Sequence, residues 1–127
     1  MKFRKFGETK VSEIGLGCWQ LGGDWGDVDD YTAQKVLETA VENKITFYDT
    51  ADVYGVGRSE KLLYKYLKPI APESFIATKI GRFPEPGNSE NYTFENFRLF
   101  TENSLKRLNL DVLDLTQLHC IPTELME

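Results

Sequence analysis

Four short apolar runs in this chain each end on a residue that can do chemistry or line a pocket, and the ends recur at nearly even intervals. Ile14 to Gly17 leads into Cys18, Ile45 to Tyr48 into Asp49, Phe75-Ile76-Ala77 towards Lys79, and Val112 to Leu118 into His119. These ends stand 31, 30 and 40 residues apart. A barrel of eight β/α units in roughly 250 residues averages about 31 residues per unit. The longest interval contains the segment Gly81 to Asn91, whose Pro84, Pro86 and Gly87 predict irregular structure.

Between the runs the period changes from strand to helix. Tyr31 to Asn43 carries Ala33, Val36, Leu37, Ala40 and Val41 on one face, with Asp29 and Asp30 where a helix N-terminus favours negative charge. That helix stops at Asn43-Lys44, where Lys44 has to take a left-handed conformation better suited to glycine. A second helix is expected over Ser59 to Lys68, with Ser59 as N-cap and Pro69 as terminator. A third is expected over Thr93 to Leu108, burying Phe94, Phe97, Thr101, Leu105 and Leu108. Lys2 to Phe6 and Thr9 to Val11 read as a hairpin around Gly7-Glu8, and Trp19 to Asp29 as a loop. Ile121 onward starts a further element.

Alternating strands and helices predict a parallel sheet with right-handed crossovers. In such folds the C-terminal strand ends share one face, and catalysis sits there. Asp49, Lys79 and His119 are therefore expected to converge, with Tyr54 folding over them from the loop after Asp49.

Bulk composition narrows the alternatives. A chain of 127 residues supports one modest core, and 41% hydrophobic residues is near the globular norm. Fifteen basic against 20 acidic residues give a net charge of −5, which argues against a nucleic-acid surface. No stretch approaches the ~18 apolar residues of a membrane span. The N-terminus lacks the apolar core of a signal peptide, so the cytoplasm is the expected location. Cys18 and Cys120 form no ligand cluster, so no metal site is expected, and a buried, inert thiol is the expectation for Cys120. Asn91-Tyr92-Thr93 fits a glycosylation acceptor but reads as loop polarity before a helix.

The gathered residue types suit proton transfer. A phenol ordinarily ionises near pH ~10, so Tyr54 needs help to give up its proton at neutrality. An ammonium beside it favours the phenolate, and a carboxylate beside the ammonium holds it in place. Lys79 and Asp49 fit those parts, and His119 brings an imidazole to the same rim. Trp19, just past the first strand, is read as a pocket wall or as core packing. Gly15-Leu16-Gly17-Cys18-Trp19-Gln20 and Gly55-Val56-Gly57-Arg58-Ser59-Glu60 are not dinucleotide fingerprints, because the closing glycine is missing. Arg58 is read as a surface or helix-start charge.

At these residues the chain resembles the aldo-keto reductases. The resemblance lies in Phe47-Tyr48-Asp49-Thr50-Ala51, Tyr54-Gly55-Val56-Gly57-Arg58-Ser59-Glu60 and Ala77-Thr78-Lys79. It continues in Ser104-Leu105-Lys106-Arg107-Leu108 and Asp114-Leu115-Thr116-Gln117-Leu118-His119. It implies an α/β fold, the N-terminal half (about four units) of a (β/α)8 TIM barrel preceded by a short β-hairpin. It implies reduction of small aldehydes and ketones with NADPH, or less often NADH. It further implies that Asp49, Tyr54, Lys79 and His119 are catalytic, that Asp49 also meets the cofactor, and that Trp19 and His119 meet the substrate. The family's phosphate-binding positions come mostly from the second half and have no counterpart here.

Two other readings remain open at this point. A lysine at a barrel strand end can form a Schiff base, which would make Lys79 an aldolase-type nucleophile. A non-catalytic nucleotide-binding subunit is the other. Residues 1–127 are expected to be a single incomplete barrel domain (hairpin 1–12, β/α units 13–127), inactive alone, that either self-associates through its open edges or is an excerpt of a ~300-residue enzyme.

Overall fold

A computed structural model describes residues 1–24, 26–82 and 88–126. Strands β1 (Phe3–Phe6) and β2 (Thr9–Ser12) pair antiparallel as a hairpin. There follow β3 (Leu16–Gly17), α1 (Asp30–Glu42), β4 (Phe47–Asp49), α2 (Arg58–Leu62), β5 (Phe75–Ile80), α3 (Phe94–Leu108) and β6 (Leu115–Leu118). The last four strands form one parallel sheet in the order β3-β4-β5-β6, each bonded to the next in sequence. This is the strand-helix alternation expected of a barrel.

The pleat divides the sheet's residues between two layers. Tyr48 and Ile76 point outward and pack with Leu37 and Ala40 of α1, Leu62 of α2 and Leu108 of α3. Phe47, Phe75, Ala77 and Leu115 point the other way and form the inner cluster with Val11 of the hairpin. Phe6 meets Phe47 and Phe75 edge-on at 5.9 and 5.5 Å, so the hairpin covers the N-terminal end of this inner layer. Reciprocal bonds between Ser12 and Thr46 fasten it there. Asp49 and Lys79 continue the inner rows towards the C-terminal end.

Several local expectations change. Asp29 caps α1 by accepting from the Thr32 N–H, and Lys44 takes φ 62°, both as the pattern requires. Ser59 is not a helix cap. Gly57 occupies that place with φ 84°, and Ser59 is buried in the first turn instead. Nor is the second helix uniform: α2 gives way to a π turn over Leu63–Leu67 before Pro69. Thr93 caps α3, but its buried face is Phe100, Ser104 and Leu108, while Phe94 is 78% exposed. Ser104 is fully buried on that face and accepts from Arg107 at 3.2 Å. The expected strands at Ile14 and Val112 begin later, at Leu16 and Leu115, because both of those first residues are exposed.

The two expected loops each contain a 3-10 turn, Gln20–Gly22 and Ser89–Asn91. Within the second, Pro84, Pro86 and Gly87 lie outside the described residues, as does Trp25 in the first. A 3-10 turn also follows β6, over Thr123–Leu125. Among the described residues no helix is long and apolar enough to cross a membrane.

Candidate active site

Beyond Asp49 the chain keeps contact with the neighbouring strand before it turns. The Thr50 N–H donates to the Ala77 carbonyl at 2.8 Å and the Asp52 N–H to the Lys79 carbonyl at 3.1 Å. The turn that follows places Gly55, Val56 and Gly57 at φ 58°, 53° and 84°. For a β-branched residue such as Val56 that conformation is strained, and Tyr54 is held at the edge of the strained segment.

Gly55 also lies directly against Gly22. A Cβ on Gly55 would stand 2.2 Å from the Gly22 oxygen, so side chains are excluded where the two loops meet. Gly55→Ala is expected to lower the denaturant midpoint by the equivalent of about 1–3 kcal/mol from backbone strain, with the overlap adding to it. An unchanged midpoint would show that the loops meet otherwise.

The Asp49, Tyr54 and Lys79 side chains converge as the strand ends require. Lys79 Nζ donates to Asp49 Oδ2 at 2.7 Å, to the Thr50 carbonyl at 2.8 Å and to the Tyr54 hydroxyl oxygen at 3.1 Å. Its side chain is only 16% exposed, against 36% for Asp49. These three acceptors match the three hydrogens of an ammonium. Since Tyr54 accepts from Lys79, its own O–H is left to point elsewhere.

Rings close two further sides of Tyr54. Trp19 stacks on it with centroids 6.2 Å apart, and His119 meets it edge-on at 5.9 Å. Trp19 also donates from Nε1 to Asp24 Oδ2 at 3.0 Å, which fixes the indole on the loop. Trp19 is thus partly exposed beside Tyr54 rather than packed in the core.

His119 is carried in by its backbone, whose N–H donates to the Ile80 carbonyl at 2.8 Å and whose carbonyl accepts from the Tyr92 hydroxyl at 2.6 Å. Burial lowers the imidazole pKa to about 4, and the Lys79 and Arg82 cations push the same way. Its Nδ1 is buried with no partner among the described residues. A neutral imidazole can donate from one nitrogen without carrying charge.

Because His119 is the chain's only histidine, a proton NMR titration reads it directly. A midpoint near pH 4 is expected, and one near the ordinary ~6.5 would contradict the burial. Between those values the unfolded chain binds a proton that the native imidazole refuses. This group's contribution to stability therefore falls as the pH drops from about 6.5 to about 4.

Sequence reasoning missed Gln117. Its amide donates to Asp49 Oδ1 at 3.4 Å, and it pairs in register with Lys79 on the inner layer. A polar residue two places after Leu115, on the inward row of a barrel strand, was the available signal. Ser59 was misassigned: it accepts from Thr50 Oγ1 and donates to the Cys18 carbonyl, pinning the segment around Tyr54 to the first strand end.

Arg58 does start a helix, but it is more than a surface charge. It donates to the carbonyls of Leu21 and Val28, strapping the loop before α1. Cys120, expected to be buried, is exposed at φ 56°, and Cys18 is the buried thiol. No group of three or more His, Cys, Asp or Glu that could hold a metal ion occurs among the described residues.

The geometry has close counterparts. The aldo/keto reductase family model matches residues 13–126. The chain is similar to an aldo-keto reductase, YhdN, of Bacillus subtilis, at 33% identity over 94% of this chain and 38% of that protein. It is similar to the aldo-keto reductase yakc [NADP(+)] of Schizosaccharomyces pombe, at 36% identity over 91% of this chain and 36% of that one. Among solved structures, the holo form of aldo-keto reductase AKR11C1 from Bacillus halodurans superposes with a TM-score of 0.74 at 32% identity. That match covers 94% of this chain and 40% of the other. The chain thus spans well under half the length of these relatives, and its four parallel strands and three helices are the N-terminal part of their (β/α)8 barrel. With the strand order, the motifs and the matches in agreement, the chain belongs to the aldo/keto reductase family.

Proposed function

We propose that this protein acts as an NAD(P)H-dependent oxidoreductase that reduces aldehyde or ketone carbonyls to alcohols, with Tyr54 as the proton donor. One observation carries the reading: Lys79 Nζ bonds both Asp49 and the Tyr54 hydroxyl oxygen, leaving the phenolic proton free. Asp49 anchors the cation, and the cation stabilises the phenolate that remains once the proton has gone. His119, neutral and with one ring nitrogen buried, would donate to the carbonyl oxygen and orient it. Trp19 would wall the pocket and keep water from the reacting carbon.

A reduced nicotinamide, when bound, supplies the hydride. Asp49, half-open and facing the barrel interior beside Gln117, is the residue here that would meet it. NADPH is the favoured form, because the fission-yeast relative carries NADP(+) in its name, with NADH the other.

Schiff-base chemistry at Lys79 fits the site less well. All three hydrogens of Nζ are engaged, which suits a fixed cation rather than a nucleophilic amine. Strands β3 and β6 end the sheet, and an apolar groove lined by Leu16, Val36, Ala40 and Ile45 runs beside β3. We place self-association there, and we expect little turnover from residues 1–127 alone. In the closed barrel, NADPH absorbance should fall in step with alcohol formed from a simple aldehyde. A borohydride-trapped substrate adduct on Lys79 would overturn the reductase reading.

A further inference from the structure

His119 stands just past the end of β6, an edge strand, so the sheet holds its backbone from one side only. Its N–H makes the last bond to β5, on the Ile80 carbonyl at 2.8 Å, and the chain then leaves the ladder. Cys120 follows at φ 56°, a left-handed conformation that a residue with a side chain rarely adopts. The His119 carbonyl must find its donor outside the sheet.

That donor is Tyr92, 27 positions earlier in the chain, whose hydroxyl bonds the carbonyl at 2.6 Å. The phenol ring is built into its surroundings. Gly81 passes directly beneath it, and a Cβ there would stand 2.7 Å from Tyr92 Cε1. Phe97 of α3 meets the ring edge-on at 6.2 Å. The segment that carries it is tied in turn, since Asn96 Nδ2 donates to the Glu90 carbonyl at 3.0 Å and Thr93 caps α3. Burial holds the Tyr92 phenol above its ordinary ~10, and Cys120 and Asp52 push the same way against Arg82. It is therefore a protonated donor throughout the neutral range.

We propose that Tyr92 is a positioning residue of the site: its hydroxyl locks the His119 backbone and so aims the imidazole at the edge of Tyr54. The ring centroids stand 5.9 Å apart there. His119 Nδ1 has no partner among the described residues, so the aim depends on the backbone that carries the ring. The consequence for turnover rests on the reductase reading, whereas the hold on His119 does not. Tyr92→Phe removes one oxygen and keeps the ring that packs on Gly81 and Phe97. It leaves in place the Lys79, Arg82 and Asp49 charges that act on the imidazole.

The test is NMR of the chain and of Tyr92→Phe, with the single histidine isotopically labelled in its carbonyl and ring. Two signals are expected to move. The carbonyl resonance loses its hydrogen bond, and the imidazole midpoint rises from about 4 by about one pH unit as the ring gains water. Phe97→Leu loosens the support of the Tyr92 ring with the hydroxyl kept, and should raise the midpoint by less. In the closed barrel Tyr92→Phe should lower turnover about ten- to hundredfold with KM for NADPH unchanged, the scale of a misplaced reacting group. A tyrosine of purely structural value would cost stability and leave the histidine midpoint where it was, which overturns the proposal. A raised midpoint with full turnover, or lost turnover with an unmoved midpoint, overturns it equally. A closed barrel that never oxidises NADPH would instead remove the reductase reading, and the labelled histidine alone would then decide whether Tyr92 holds His119.

Discussion

Tyr54→Phe in the closed barrel is expected to cut turnover by about two to four orders of magnitude while cofactor affinity hardly changes. Positioned proton transfer contributes on that scale, equivalent to about 3–5 kcal/mol of barrier. The substitution removes one oxygen and leaves the ring, so the Trp19 stack at 6.2 Å and the edge contact to His119 persist. Lys79 keeps Asp49 and the Thr50 carbonyl as acceptors, so the site should not collapse. The check is a pair of measurements on the same preparation, steady-state turnover and NADPH titration by fluorescence. Weak NADPH binding with intact chemistry would refute the role assigned to the phenol.

The second large effect is on stability. Arg107→Met strands the Glu60 carboxylate, which has no solvent contact and would retain only Thr78 as a partner among the described residues. Breaking a buried pair from one side costs about 3–5 kcal/mol, a large share of the ~5–15 kcal/mol that holds a domain together. Glu60→Met combined with Arg107→Met removes both charges and should recover most of that loss. Denaturant midpoints at matched slopes decide the matter. If the single and double variants unfold together, the pair carries no net burden and the argument fails. Arg107 also packs its stem over Gly57, where a Cβ would come within 2.4 Å of Cδ, so some loss of packing should remain in the double variant.

What could be read from the chain, and what could not, divides by distance along it. The gathering of Asp49, Lys79 and His119 was legible because parallel strands deliver their ends to one face, so even spacing is enough to bring them together. Helix α1 was legible because Asp29 and the period of Ala33, Leu37 and Ala40 agree. Ser59 was not, because the same hydroxyl can cap a helix or be buried against a strand end. The left-handed Gly57 decides between the two. The buried face of α3 was misjudged because pattern reading weighs large apolar residues, and this face includes Ser104, which that scale counts as polar. The Glu60–Arg107 pair was invisible for a different reason. Its members look like surface charges until the 47-position separation between them is folded away.

Arg58 belongs to α2, yet its guanidinium grips the carbonyls of Leu21 and Val28 in the segment before α1. That grip welds two stretches of backbone that carry opposite parts of the pocket, the indole of Trp19 and the phenol of Tyr54. The backbone beneath one ring is therefore held in place relative to the backbone beneath the other. Their stack, with centroids 6.2 Å apart, thus rests on a braced backbone frame and not on ring contact alone.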